Sequence, residues 1–244
     1  MYMGVVGASA EGDILRELAG CRVLLTGLSG VAGVDLARAF ADVRTRLVVQ
    51  TNDLTPDMTA LVALLSQSAM EMKLFTDPIM TAESATRFAQ SAQTAFGGLD
   101  CVVNVQHITR QDMRSLSSES DIERLIMAKL TPLTHITRVC ANRMRVIMSE
   151  GSILNILAMP VPADAREAAI AGYVRTARAA MTRGEANQWA DQSVRINAVG
   201  PRTQAASAGA TLKSEPDIAA LAIYLASKRG KALSSHIFDS ELTA

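Results

Sequence analysis

Aromatic residues are scarce in this chain: one tryptophan, three tyrosines and five phenylalanines make up 4% of 244 residues. That argues against a stacking platform for single-stranded nucleic acid, which needs a series of rings. Charge of one sign is also missing. With 24 basic and 24 acidic residues and a net charge of zero, capture of nucleic acid or of an anionic membrane is not expected. Cys21, Cys101 and Cys140 form neither a CxxC pair nor a metal-binding spacing. An odd number of thiols so placed fits free cysteines in a reducing compartment. No apolar run approaches the ~20 residues of a membrane span. Glu11, Asp13 and Arg16 stand where a signal peptide would need its apolar stretch. The expectation is a cytoplasmic protein without nucleic-acid or membrane partners, free of repeats, low-complexity tracts and interdomain linkers.

What is present is apolar: 49% of residues are hydrophobic, enough for one sizeable core. Short apolar runs alternate with amphipathic helical patterns, as in a parallel sheet with crossover helices. The runs predict strands at 23–26, 47–50, 73–76, 101–105 and 236–238, with a fifth and a sixth strand before and after the second long helix. Helices are predicted near 31–41, from Thr55-Pro56-Asp57 onward, and over 83–96, 121–144, 164–189 and 216–227. Proline suits the first turn of the second of these, and Gly97-Gly98 suits the end of the third. The fold class is α/β, a doubly wound parallel sheet of the Rossmann type in one domain over residues 19–244. Residues 1–18 read as an N-terminal extension.

Thr26-Gly27-Leu28-Ser29-Gly30-Val31-Ala32-Gly33 follows the first strand and opens a helix. In that context glycines let backbone N–H groups approach a pyrophosphate at the positive helix end. Read locally, the loop favours dinucleotide binding, with Thr26, Gly27, Ser29, Gly30 and Gly33 as its residues. Strand-to-helix packing is the other role such glycines serve.

Two further stretches extend the pattern. Gly151-Ser152-Ile153-Leu154-Asn155-Ile156-Leu157-Ala158 resembles the fifth strand of short-chain dehydrogenases/reductases, G-x-I-V-N-I-S-S. Val194-Arg195-Ile196-Asn197-Ala198-Val199-Gly200-Pro201 resembles their sixth, I-R-V-N-A-V-x-P. The glycine loop is similar to the T-G-x-x-G-x-x-G of the family's extended branch, and the resemblance runs over residues 19–242. It implies an NAD- or NADP-dependent oxidoreductase fold, and it implies oligomers built on the long helices after strands four and five.

The same alignment implies that the family's catalytic set is replaced. Its serine falls on Ala158, its tyrosine on Ala171, its lysine on Arg175 and its helix asparagine on Lys129. Hydride transfer at a carbonyl carbon needs a proton at the oxygen, and alanine has none to give. Tyr173 lies two places from the tyrosine position, ~200° around a helix, which suits the core or a subunit contact. Tyr224-Leu225-Ala226-Ser227-Lys228 mimics the family motif in the last helix, where F-L-A-S-D is usual. His107, at the end of strand four, is the candidate substitute titrating group.

Around the cofactor, the alignment puts Thr51 and Asn52 at the ribose-reading places, with Asp53 one step late. Asp77 falls at the adenine contact, followed by Pro78, which has no N–H. Asn104 keeps the first residue of the N-N-A-G motif, now Asn104-Val105-Gln106-His107, and Pro201-Arg202 stands for Pro-Gly. The connection 202–214 is shorter than the family's substrate lid. Two readings follow: a non-catalytic subunit in a homo-oligomer or beside an active paralogue, or a divergent oxidoreductase or dinucleotide sensor using the surviving loop.

Overall fold

The computed structural model describes residues 13–14, 16–203 and 211–241. Seven parallel strands form one sheet in the order β3-β2-β1-β4-β5-β6-β7. They are β1 (Arg22–Thr26), β2 (Arg46–Gln50), β3 (Glu71–Phe75), β4 (Cys101–His107), β5 (Gly151–Ala158), β6 (Val194–Pro201) and β7 (Ile237–Ser240). The helices are α1 (Val34–Asp42), α2 (Pro56–Ser68), α3 (Ala82–Thr94), α4 (Arg110–Arg114), α5 (Glu119–Val146), α6 (Ala165–Trp189) and α7 (Glu215–Ala226). This is the doubly wound arrangement expected, with helices on both faces.

Coverage on both faces explains the sequence pattern of the strands. A parallel strand buried on two sides reads as a continuous apolar run, not an alternating one. All eight residues of β5 are buried. The outer strand β3 is the exception: Glu71, Lys73 and Leu74 are exposed there, and charges on an edge discourage pairing with another chain. Its polarity also displaced the predicted strand, which starts at Glu71 rather than residue 73.

One core lies under α1, α2 and α7, where Leu36, Phe40, Leu61 and Ile218 meet Leu25, Val49 and Val103. A second lies under α3 and α5, with Phe88, Ala89, Ile136 and Met144 against Leu24, Val102 and Ile153. A third closes the C-terminal end of β5 between α5 and α6 and contains Leu130, Leu133, Leu157, Met159, Ile170, Ala171 and Val174.

Caps set the helix starts. The Thr55 hydroxyl accepts from the Met58 N–H, and Pro56 sits at the first helical position. Ser118 and Asp121 form a reciprocal capping box at α5, as do Ser214 and Asp217 at α7. Helix α1 begins at Val34, three residues after the predicted start, because Gly33 takes φ +90° and Ser29 and Ala32 close their own bridge. The short helix α4 went unpredicted, and β4 runs two residues beyond its apolar stretch, through Gln106 to His107.

Within the predicted N-terminal extension, residues 16–18 are helical and Leu18 is buried, so the chain joins the fold before residue 19. Residues 1–12 lie outside the described residues, as do 204–210, which make up most of the short connection that the sequence reading contrasts with a lid. Cys21, Cys101 and Cys140 are free thiols; burial pushes the last two up to about 12. Among the described residues no helix is long and apolar enough to cross a membrane, and no cluster of His, Cys, Asp or Glu could hold a metal ion.

Candidate functional site

In an open parallel sheet, ligands bind at the carboxyl ends of the strands, where strand order reverses. Here that point lies between β1 and β4, which pair from Val23 with Cys101 to Thr26 with Asn104. Two cavities open there. One, of about 450 Å³, lies between the start of α1, the ends of β4 and β5, and the start of α7, and its lining includes Gly33, Leu36, His107, Ala158 and Glu215. The other, of about 270 Å³, includes Thr26, Gly27, Ser29, Asn52, His107 and Lys129. His107 and Val105 line both.

Beneath the cavities lies a buried polar chain. The Thr26 hydroxyl donates to Asn104 Oδ1 at 3.1 Å, and the Asn104 amide donates to Asn155 Oδ1 at 2.8 Å. Asn155 Oδ1 also accepts from the Thr137 hydroxyl at 3.1 Å. These four residues tie β1, β4, β5 and α5 together. Asn104, singled out in the sequence as a cofactor-end residue, is fully buried and serves this structural chain.

The expected ribose-reading residues are divided. Thr51 is buried, and its hydroxyl accepts from the Asp53 N–H at 3.0 Å; Asn52 is exposed at the smaller cavity. Asp53 turns back instead: its carboxylate accepts from the Gly30 N–H at 3.1 Å and from the Thr55 N–H and hydroxyl at 3.1 and 2.8 Å. Bonds from Thr55, then from Gly30, lower its pKa. Asp77 is exposed, and its carbonyl accepts from the Gln50 amide at 3.1 Å. The other end of Gln50 accepts from the Gly27 N–H at 3.0 Å. At α1 the Asp35 N–H donates to Glu215 Oε1 at 2.8 Å, across 180 residues of sequence. Burial raises the Glu215 pKa above the usual carboxylate value, with backbone N–H groups of Asp35, Leu36 and Gly33 pulling it back. Gln50 and Glu215 were not foreseen, and no local motif marks either.

Of the positions matched to catalytic residues, Ala158 lines the larger cavity and Lys129 the smaller, while Ala171 edges a separate cavity of about 640 Å³ beside Arg202 and Glu241. Ala158 ends β5 and pairs with His107. Ala171 is fully buried in the third core beside Ile170 and Val174. Arg175 forms an ion pair with Asp239 of β7 and lies 3.5 Å from the Pro201 carbonyl. Lys129 pairs with Asp112 of α4 at 3.4 Å, and Arg202 pairs with Glu241 at 3.0 Å. Tyr173 is 52% exposed and Tyr224 is 40% exposed. For Tyr173 the core alternative therefore fails, leaving it on the open face of α6.

His107 is half-buried, and burial is the main cause lowering its pKa. The Lys129 ammonium lowers it further, while Asp112 works the other way. An NMR pH titration of the imidazole is expected to place its midpoint below the ordinary 6.5. Because the unfolded chain binds that proton more readily, His107 contributes stability that declines as pH falls from 6.5 toward the folded midpoint. A midpoint at or above 6.5 would contradict this environment.

The sequence profile described as short chain dehydrogenase matches residues 22–217. Solved structures share the fold at low identity. A hydroxysteroid dehydrogenase from Escherichia coli is 20% identical with a TM-score of 0.70, covering 93% of this chain and 97% of its own. A short-chain dehydrogenase/reductase from Serratia marcescens is 16% identical at 0.71, covering 93% and 98%. An NADH-dependent reductase in complex with NAD is 16% identical at 0.72, covering 93% and 97%. No curated protein matches the chain.

Proposed function

The chain belongs to the short-chain dehydrogenase family, and from that premise we propose that it has no dehydrogenase chemistry of its own. It acts instead as a structural or regulatory subunit, in a homo-oligomer or in a hetero-oligomer with an active member of the family. The observation that carries this reading is the setting of Ala171, packed among apolar side chains where the resemblance calls for a proton-donating tyrosine. The other three positions support it. Ala158 has no hydroxyl to orient a substrate. The charges of Arg175 and Lys129 are engaged by Asp239 and Asp112. A positioned general acid contributes roughly 10²–10⁴-fold, and neither Ala158 nor Ala171 offers one.

The subunit reading draws on α6. Ala169, Thr176 and Ala180 are exposed along it beside Tyr173, and a Cβ added at Gly172 or Gly184 would meet nothing within 4 Å. Small residues along an open helix face let a second helix approach closely. Met127 on α5 is likewise 61% exposed.

The test joins turnover with assembly. Purified protein offered NADH or NADPH and a panel of ketones and aldehydes is expected to oxidise neither above the buffer rate. Native mass spectrometry of protein drawn from its own lysate should find a dimer, a higher oligomer or a second chain. Turnover near the ~1–10³ s⁻¹ of ordinary enzymes, with His107 as the remaining acid, would establish the divergent oxidoreductase instead. A strict monomer in both preparations would remove the subunit role.

A further inference from the structure

Most of the backbone donors of the glycine loop are already engaged by the chain itself. The Gly27 N–H donates to Gln50 Oε1 at 3.0 Å. The Leu28 N–H donates to the Gln50 carbonyl at 3.1 Å, and the Ser29 N–H to the Ala32 carbonyl at 2.9 Å. The Gly30 N–H goes to the Asp53 carboxylate. At the first turn of α1 the Glu215 carboxylate accepts from the Asp35 N–H at 2.8 Å. A pyrophosphate at a Rossmann loop uses the amides of this turn and the positive end of this helix. The residues present therefore do not fit a dinucleotide phosphate.

We propose that Glu215 and Asp53 are built-in anions that occupy the phosphate-binding donors of the glycine loop, so that this cleft excludes dinucleotides and other pyrophosphate ligands. This goes beyond a missing catalytic set, since a chain without a proton donor could still hold a cofactor. The two carboxylates act twice. They satisfy the N–H groups that a phosphate would need, and they place like charge where its oxygens would lie. Discrimination of this kind needs a repulsive element, not only a missing attractive one.

Glu215 is held in place by the fold. It is the first residue of α7, whose start is set by the Ser214–Asp217 capping box and Pro216. Ile218, Ala219 and Ala222 of α7 share the first core with Leu36, Ala37 and Phe40 of α1. The packing that joins the two helices delivers the carboxylate to the α1 terminus. Two of the three glycines are accounted for without a ligand: a Cβ on Gly27 would lie 2.1 Å from the Val105 carbonyl oxygen, and one on Gly33 3.3 Å from Leu28.

Calorimetric titration of NADH, NADPH and ADP into the full chain and into Glu215→Gln, Asp53→Asn and the double variant tests this. Glutamine and asparagine keep an acceptor for the same N–H groups, yet a neutral amide is a weaker partner than an anionic phosphate. The unaltered chain is expected to give no saturable heat at millimolar ligand. The double variant should bind ADP at least about tenfold more tightly, a difference of about 1.4 kcal/mol. Saturable binding to the unaltered chain would overturn the proposal, and so would a folded double variant that binds no better. Should the double variant fail to fold, hydrogen exchange in the unaltered chain decides: slow exchange at the Gly30 and Asp35 amides supports the internal anions, and fast exchange removes them. Binding without turnover would defeat this proposal and leave the non-catalytic reading standing. Turnover would defeat that reading as well.

Discussion

Glu185→Ala should lower the stability of the fold by about 3–5 kcal/mol, the usual cost of stranding one partner of a buried ion pair. Its partner, Arg178, is fully buried in α6, and Arg178 Nη2 stands 3.5 Å from Glu185 Oε2. The bond is long, and the cluster is poorly satisfied. Arg178 Nε and Nη1, Glu185 Oε1 and the intervening Thr182 hydroxyl all lack a hydrogen-bond partner. Burial lowers the arginine pKa and raises the glutamate pKa, so for each group desolvation outweighs the attraction of the other. Such a pair is expensive as it stands and worse when halved.

The opposite change follows from the same physics. Replacing both partners by apolar residues of similar volume, Arg178→Met with Glu185→Leu, should leave stability unchanged or raise it by about 1–4 kcal/mol. Urea unfolding at one fixed protein concentration measures both, because a midpoint shifts with concentration wherever folding is coupled to association. A Glu185→Ala protein within about 1 kcal/mol of the parent would mean that water or a partner helix reaches Arg178, and this account of the pair would fail.

The second large effect belongs to the glycine loop. Gly27→Ala should cost about 2–5 kcal/mol in the absence of any ligand. Left-handed backbone accounts for about 1–2 of that, and forced overpacking for another 1–3. Gly27 has φ +74°, and its added Cβ would stand 2.1 Å from the carbonyl oxygen of Val105. That oxygen belongs to β4, which is pinned to β1 and β5 on either side, so neither backbone can yield. Gly97 is the control: it has the same φ of +74°, but its added Cβ would meet nothing within 4 Å. Gly97→Ala should therefore carry the backbone cost alone, about 1–2 kcal/mol. Equal thermal shifts for the two variants would show that the β1–β4 contact gives way. A larger shift for Gly27 means that packing alone is enough to hold a glycine at the first place of this motif.

How much of this was legible in the sequence differs between fold and site. Strands β5 and β6 were read to the residue from their resemblance to the family's strand motifs, whose mostly apolar residues suit strands covered on both faces. The start of α2 was equally plain in Thr55-Pro56, whose cap acts within four residues. The edge strand β3, the last residues of β4 and the helix α4 were misplaced or missed. Their residues are polar, and what keeps them ordered is pairing with a neighbouring strand or a cap, not their own pattern. Tyr173 shows the same limit, since helical periodicity could not tell an open face from a covered one.

At the site, the residue types at Ala158, Ala171, Arg175 and Lys129 were visible from alignment with the family's motifs, and the seven-stranded parallel fold around them agrees with that frame. Their partners were not visible. Arg175 meets Asp239 across 64 positions, and Asp35 meets Glu215 across 180. Composition, strand periodicity and capping residues act over a few neighbours, so the sequence by itself determined the fold class, the strand and helix content and the family frame. Which amides of the glycine loop remain free, which charges are neutralised and whether a tyrosine position opens to a cleft or to a core depend on elements far apart in the chain. Only the packing of α1 against α7, and of α6 against the ends of β5 and β7, decided those, because electrostatics and burial are set by distance in space.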